Sequence, residues 1–273
     1  MKSASLSSLF AFTGVLFLIF SFSSCTKDSV KTNIRNEIKK DSSNFEKKQL
    51  EFITSDNLRI RGELFYSSNR LLEKEPLIIL IHQFLSDRKQ WGMDFIDSLI
   101  RHGYKVLTYD IRGHGESDKI KEDIKYILTD KNLAPLDLES IFKWLKKQTG
   151  IDSMRIGIVG TSIGASLGLY ARFNLGAKTL IGISGGKNSF EALTGIDERT
   201  MGMGMATRKV SSVYFICGNK DDDYARDEQQ IMENFVLEPK EIKIFDSDKH
   251  GKELIEQFPG IKGLIIDWFK KNL

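Results

Sequence analysis

Cysteine is nearly missing from this chain. It occurs only as Cys25 and Cys217 in 273 residues, so a scaffold held by disulfides is excluded. Cys217 falls in the apolar stretch Val213-Tyr214-Phe215-Ile216-Cys217 and reads as a small buried hydrophobe. Charge of one sign is missing too: 40 basic residues face 37 acidic ones, leaving a net +3. No basic patch is interleaved with aromatics, and nucleic acid is excluded as a partner. The chain contains no His-Glu-x-x-His segment and no cysteine cluster, so no metal site is expected. Gly157-Ile158-Val159-Gly160 lacks the spacing of a dinucleotide loop, and Gly185-Gly186-Lys187-Asn188 lacks that of a phosphate loop. There is no internal repeat.

The longest apolar run, Leu9 to Phe22, is shorter than the ~20 residues a spanning helix needs. Lys2 precedes it and Ser23-Ser24-Cys25 follow, which is the layout of a secretory signal peptide over residues 1–24. Two small residues before a cysteine resemble the lipobox of bacterial lipoproteins, although Phe22 stands where leucine is usual. That resemblance implies lipidation of Cys25, a membrane lipid as partner of the N-terminus, and a place in the bacterial cell envelope. Residues 25–48 are rich in Lys, Ser, Asn and Asp and read as a flexible tether. Residues 49–273 then form the folded domain.

The domain alternates two periodicities. Leu50–Ile53 and Leu58–Phe65 alternate apolar with polar residues around Ser55-Asp56-Asn57, predicting a hairpin. Leu77–Ile81 is continuously apolar, as a strand covered on both faces must be. Further strands are predicted at 105–109, 154–159, 179–183, 213–217 and 241–245. Helices are predicted at 89–102, 133–148, 165–173, 225–235 and 252–271. Strands alternating with helices after an opening hairpin specify an α/β fold, a mostly parallel sheet with helices on both faces.

Gly160-Thr161-Ser162-Ile163-Gly164 lies between a predicted strand and a predicted helix, which makes it a nucleophile elbow. A serine on so tight a turn crowds the positions two residues either side, so both must lack a Cβ. The turn also aims free N–H groups of the next helix at any oxyanion formed there. A base is needed at another strand end, and His250 follows the last strand. An orienting carboxylate is needed after the strand ending at Cys217. Asp221 and Asp222 both satisfy the order serine, acid, histidine.

With these motifs the chain resembles the α/β-hydrolase superfamily from about Leu50 to Leu273, most closely its dienelactone-hydrolase-type and other single-domain esterase members. His82-Gln83-Phe84 is similar to that family's oxyanion loop, with Gln83 in place of glycine, and Asp110-Ile111-Arg112-Gly113-His114-Gly115-Glu116-Ser117 to another of its loops. The resemblance implies an oxyanion hole from the backbone N–H groups of Phe84 and Ile163. It implies Ser162 as nucleophile, His250 as base, Asp221 or Asp222 as orienting acid, and hydrolysis of a carboxylic ester without a cofactor. Hydrolysis of a thioester or small lactone is the alternative, followed by a peptidase and by a non-catalytic binding protein of the same fold. His82 is expected to brace its loop, His114 to order its turn, and His102 to sit at a helix end. The segment before Val213 is short and holds Met201, Met203 and Met205, so the expected cap over the site is small.

Overall fold

The computed structural model describes residues 45–70, 73–196 and 208–273. The expected signal peptide, Cys25, the tether up to residue 44 and the methionines of the expected cap lie outside the described residues. Among those residues no helix is long and apolar enough to cross a membrane.

The chain runs β1 (Phe45–Ile53), β2 (Arg59–Ser67), β3 (Glu75–Ile81), α1 (Met93–Arg101), β4 (Lys105–Tyr109), α2 (Ala134–Leu145), β5 (Ile151–Thr161) and α3 (Ile163–Tyr170). It continues through β6 (Thr179–Ile183), α4 (Lys187–Thr194), β7 (Val210–Gly218), α5 (Tyr224–Phe235), β8 (Val236–Phe245), α6 (Lys252–Gln257) and α7 (Ile261–Asn272). The eight strands form one sheet in the order β1-β2-β4-β3-β5-β6-β7-β8. β2 is antiparallel to both of its neighbours, and β3 to β8 are parallel.

The continuous apolar run of β3 has a simple cause. Leu77, Ile79 and Ile81 enter one core with Leu138 and Ile141 of α2. Ile78 and Leu80 enter the other core with Phe95 and Leu99 of α1 and Ile265 and Phe269 of α7. Two faces, each covered by helices, leave no position for a polar side chain.

Several boundaries depart from the pattern-based reading. β1 begins at Phe45, so residues 45–48 belong to the domain and not to the tether. Lys47 and Lys48 pair with Phe65 and Leu64 across the hairpin. An outer strand keeps polar side chains in solvent while its backbone is bonded, so composition alone resembles a linker. The predicted helix 252–271 is two helices. Pro259 has no N–H and forces Phe258 out of the helical region, to φ −123° and ψ 77°. The predicted helix 89–102 is a short 3₁₀ turn, Arg88–Trp91, followed by α1, with Gly92 at φ 70° between them. α4 was not anticipated from the sequence. Its eight residues bury only Phe190 and Leu193, too few to make a clear period.

Chain direction locates the working end of the sheet. From β3 the chain moves to β4 on one side, and from β5 it moves to β6 on the other. Adjacent strands whose connections diverge leave a crevice at their carboxyl ends. The loops after β3 and β5, carrying His82-Gln83-Phe84 and Ser162, border that crevice.

Candidate active site

Ser162 joins β5 to α3 with φ 52° and ψ −117°, a conformation that costs a non-glycine residue ~1–3 kcal/mol. Its N–H donates to the Ile183 carbonyl at 2.8 Å, which secures the turn to β6. A Cβ on Gly160 would strike the backbone of Gly164, and a Cβ on Gly164 would strike the Ile81 carbonyl. The flanking glycines are therefore required by backbone on two sides.

The loop after β7 brings Asp221 to the histidine. His250 Nδ1 lies 3.0 Å from both Asp221 carboxylate oxygens. The Asp221 side chain is 5% exposed and that of His250 30% exposed. Asp222, the alternative acid, has no hydrogen bond to His250: it is exposed on a turn with φ 42° and lines the cavity described below. Neighbouring bonds explain the choice. Asn219 N–H donates to Phe245 O and Lys220 N–H to Ser247 O, both at 2.9 Å, which ties the β7 loop to the β8 loop. That lacing turns Asp221 inward. The Tyr224 ring lies 4.4 Å from the His250 ring, centroid to centroid, and covers one face of it. Gly251 N–H donates to Ser184 Oγ at 3.0 Å, holding the peptide that follows His250.

Ser162, Ile163, Phe84 and His250 line one cavity of about 1200 Å³, together with Gln83 and Tyr224. Polar side chains from α4 and α5, among them Lys187, Asn188, Arg226 and Gln230, form much of its wall. Among the described residues no group of three or more His, Cys, Asp or Glu side chains is placed to hold a metal ion.

The other histidines hold backbone. His82 is fully buried. Its Nδ1 donates to Gln83 O at 2.7 Å and its Nε2 accepts from Ile111 N–H at 2.9 Å. His114 Nε2 accepts from Leu85 N–H at 3.1 Å, and its Nδ1 donates to Arg112 O. The two rings, 5.2 Å apart, thus hold the loop 82–85 at Gln83 O and at Leu85 N–H. A Cβ on Gly115, beside His114, would strike the Asp110 carboxylate, which also accepts from Arg88 N–H and Glu116 N–H. His102 caps the C-terminus of α1, with Nδ1 2.7 Å from Ser98 O.

Burial pushes the His82 ring down to about 4, against an ordinary value of 6.5. A histidine whose folded value is depressed stabilises the fold fully above 6.5, and that stability is lost as pH falls from 6.5 towards 4. We expect this group to withdraw about 2–3 kcal/mol between about pH 7 and about pH 4.5. Urea unfolding at both values, wild type beside His82→Gln, measures it. The variant should show the shallower loss, and equal losses would remove His82 from the account.

Sequence reasoning missed Ser184, Tyr224 and Gln90, the last of which bonds Gln83 N–H and Thr161 Oγ1 beside the site. No spacing marks them, because each reaches the site across the fold. Gln83 carried the one available signal, a long side chain where the related pattern has glycine.

A family model described as the alpha/beta hydrolase fold matches residues 76–172. The esterase Pf2001 of Pyrococcus furiosus superposes with a TM-score of 0.64 at 22% identity, over 84% of this chain and 93% of that one. This chain has the α/β-hydrolase fold. Two sequence relatives add to this. An uncharacterized 31.7 kDa Escherichia coli protein from the traX-finO intergenic region is 35% identical over 99 residues, which are 36% of this chain and 33% of the relative. The thiohydrolase aneE of Aspergillus aculeatus is 25% identical over 126 residues, 45% of this chain and 36% of the relative. The chain thus matches about a third of the length of these relatives.

Proposed function

We propose that this α/β-hydrolase-fold protein is a serine hydrolase that cleaves small carboxylic esters through an acyl-enzyme. The observation carrying this reading is the paired contact of His250 Nδ1 with both Asp221 oxygens, in a loop that opens on the same cavity as the strained Ser162. Asp221 holds the imidazole with its Nδ1 protonated, which leaves Nε2 as the base. Ser162 Oγ attacks the ester carbonyl carbon and its proton passes to His250. The tetrahedral oxyanion takes hydrogen bonds from Phe84 N–H and Ile163 N–H, each worth ~10²–10³ in rate. His250 returns the proton to the leaving alcohol, and water then repeats the sequence on the acyl-enzyme.

The polar wall of the cavity supports a short or polar substrate over a long alkyl chain. Thioesters are the second reading, favoured by the thiohydrolase among the relatives. The test is labelling by a fluorophosphonate, followed by matched panels of esters, thioesters and lactones. Labelling with faster ester turnover supports the first reading, and faster thioester turnover supports the second. A folded protein that stays unlabelled removes both.

The same proposal places the enzyme on a membrane of the bacterial cell envelope, through lipid on Cys25. Full-length protein made in a bacterial host should partition into detergent and carry added acyl mass. Cys25→Ser should remain unprocessed and without that mass. Equal masses for the two proteins, apart from the substitution, would remove the anchor from the proposal.

A further inference from the structure

The three loops of the site leave three separate strand ends, after β3, β5 and β8, and no regular secondary structure joins them. Two glutamine side chains do. Gln90 Oε1 accepts from Gln83 N–H at 3.1 Å, and Gln90 Nε2 donates to Thr161 Oγ1 at 2.8 Å. Gln90 therefore ties the peptide just before Phe84 to the residue just before Ser162. Gln83 Oε1 accepts from Lys252 N–H at 2.7 Å, and Gln83 Nε2 donates to Glu253 at 3.2 Å. It thereby caps the first turn of α6, directly after His250. A Cβ on Gly251 would strike Gln83 Oε1, and would lie 3.4 Å from the Thr161 Cβ, so the three loops meet at this point.

We infer that Gln83 and Gln90 form a clamp that sets the oxyanion loop, the serine turn and the histidine loop in mutual register. Both are positioning residues. The inference rests on the serine-hydrolase reading for its effect on rate, though not for its geometry. An amide side chain suits the task because it accepts from one loop and donates to another at once. A glycine at 83 would leave Lys252 N–H, an orphan donor of α6, to water and would leave the histidine loop free of the oxyanion loop. Displacements of about 1 Å in such an arrangement cost on the order of 10²-fold in rate.

Gln83→Met keeps the bulk and removes both bonds, and Gln83→Ala removes bulk as well. Both should lower kcat about 10- to 100-fold with KM within about twofold, and slow fluorophosphonate labelling in proportion. Gln90→Ala should do the same. Amide hydrogen exchange reads the clamp without any chemistry. Exchange in a peptide spanning residues 250–256 should quicken about tenfold in the Gln83 variants, with the remaining strands protected as in the wild type. Unchanged exchange there overturns the clamp, whatever the activity. Unchanged labelling and kcat also overturn its role in rate. A raised KM with kcat kept would make Gln83 a substrate contact, and so overturn the positioning role. Wild type that never labels, but whose Gln83 variants exchange faster, would keep the clamp and remove the serine-hydrolase reading.

Discussion

Ser162→Ala is expected to lose fluorophosphonate labelling and to lower kcat/KM for esters by about 10⁴-fold or more, at unchanged stability or slightly above it. The hydroxyl is the only atom removed, and alanine occupies the same φ of 52° at similar strain. The informative companion is the pair Asp221→Asn and Asp222→Asn. The Asp221 carboxylate meets His250 Nδ1 with both oxygens, and an amide there presents a donor to a donor. The imidazole then adopts the wrong tautomer, and a loss of about 10⁴-fold in kcat follows. Asp222 is exposed and lines the cavity without bonding the ring, so its amide variant should keep kcat within about threefold. Steady-state rates on one activated ester measure all three. A severe loss at Asp222 with little loss at Asp221 would overturn the assignment of the acid.

Gly160→Ala and Gly164→Ala are expected to cost the fold at least about 3 kcal/mol each, or to prevent soluble expression. The added Cβ meets main chain at both positions: the Gly164 carbonyl in one case, the Ile81 and His82 carbonyls in the other. Main chain there belongs to the elbow itself and to the end of β3, where it cannot step aside without breaking the sheet. Gly263 is the contrast. It lies on the exposed side of α7 with nothing within 4 Å of its would-be Cβ. Gly263→Ala should stabilise by about 0.5–1 kcal/mol, since alanine loses less backbone freedom on entering a helix. Urea unfolding of the three variants checks the order. A mild cost at Gly160 or Gly164 would mean that the elbow relaxes, and the steric account of the motif would fall with it.

Much of this is legible in the amino-acid sequence. The G-x-S-x-G spacing is a local constraint: the Cβ clashes that it avoids involve the turn and the strand beside it, so residue types alone reveal it. The buried strands were legible for the same reason, because burial on both faces forbids polar side chains along Leu77–Ile81. Charged outer positions were less legible. The start of β1 at Phe45 looks like linker because its outer side chains face water, and only its pairing with β2 shows otherwise. Pro259 was visible in the sequence, but the apolar period continued across it, and the break in the last helix follows from the backbone limits of proline.

The sequence by itself determined the α/β layering and the serine turn, and it marked the regions that hold the proposed acid and histidine. Those follow from periodicity and from chain order, which are properties of neighbours along the chain. Only the tertiary structure set Asp221, and not Asp222, against His250, because adjacent residues on a turn differ in direction and not in pattern. The bonds that turn Asp221 inward come from Phe245 and Ser247, which lie far along the chain. The same holds for the hold of His82 and His114 on the loop 82–85 and for the reach of Gln83 to Lys252. Contacts of that range depend on where the sheet sets its strand ends, and no local rule of sequence encodes that distance.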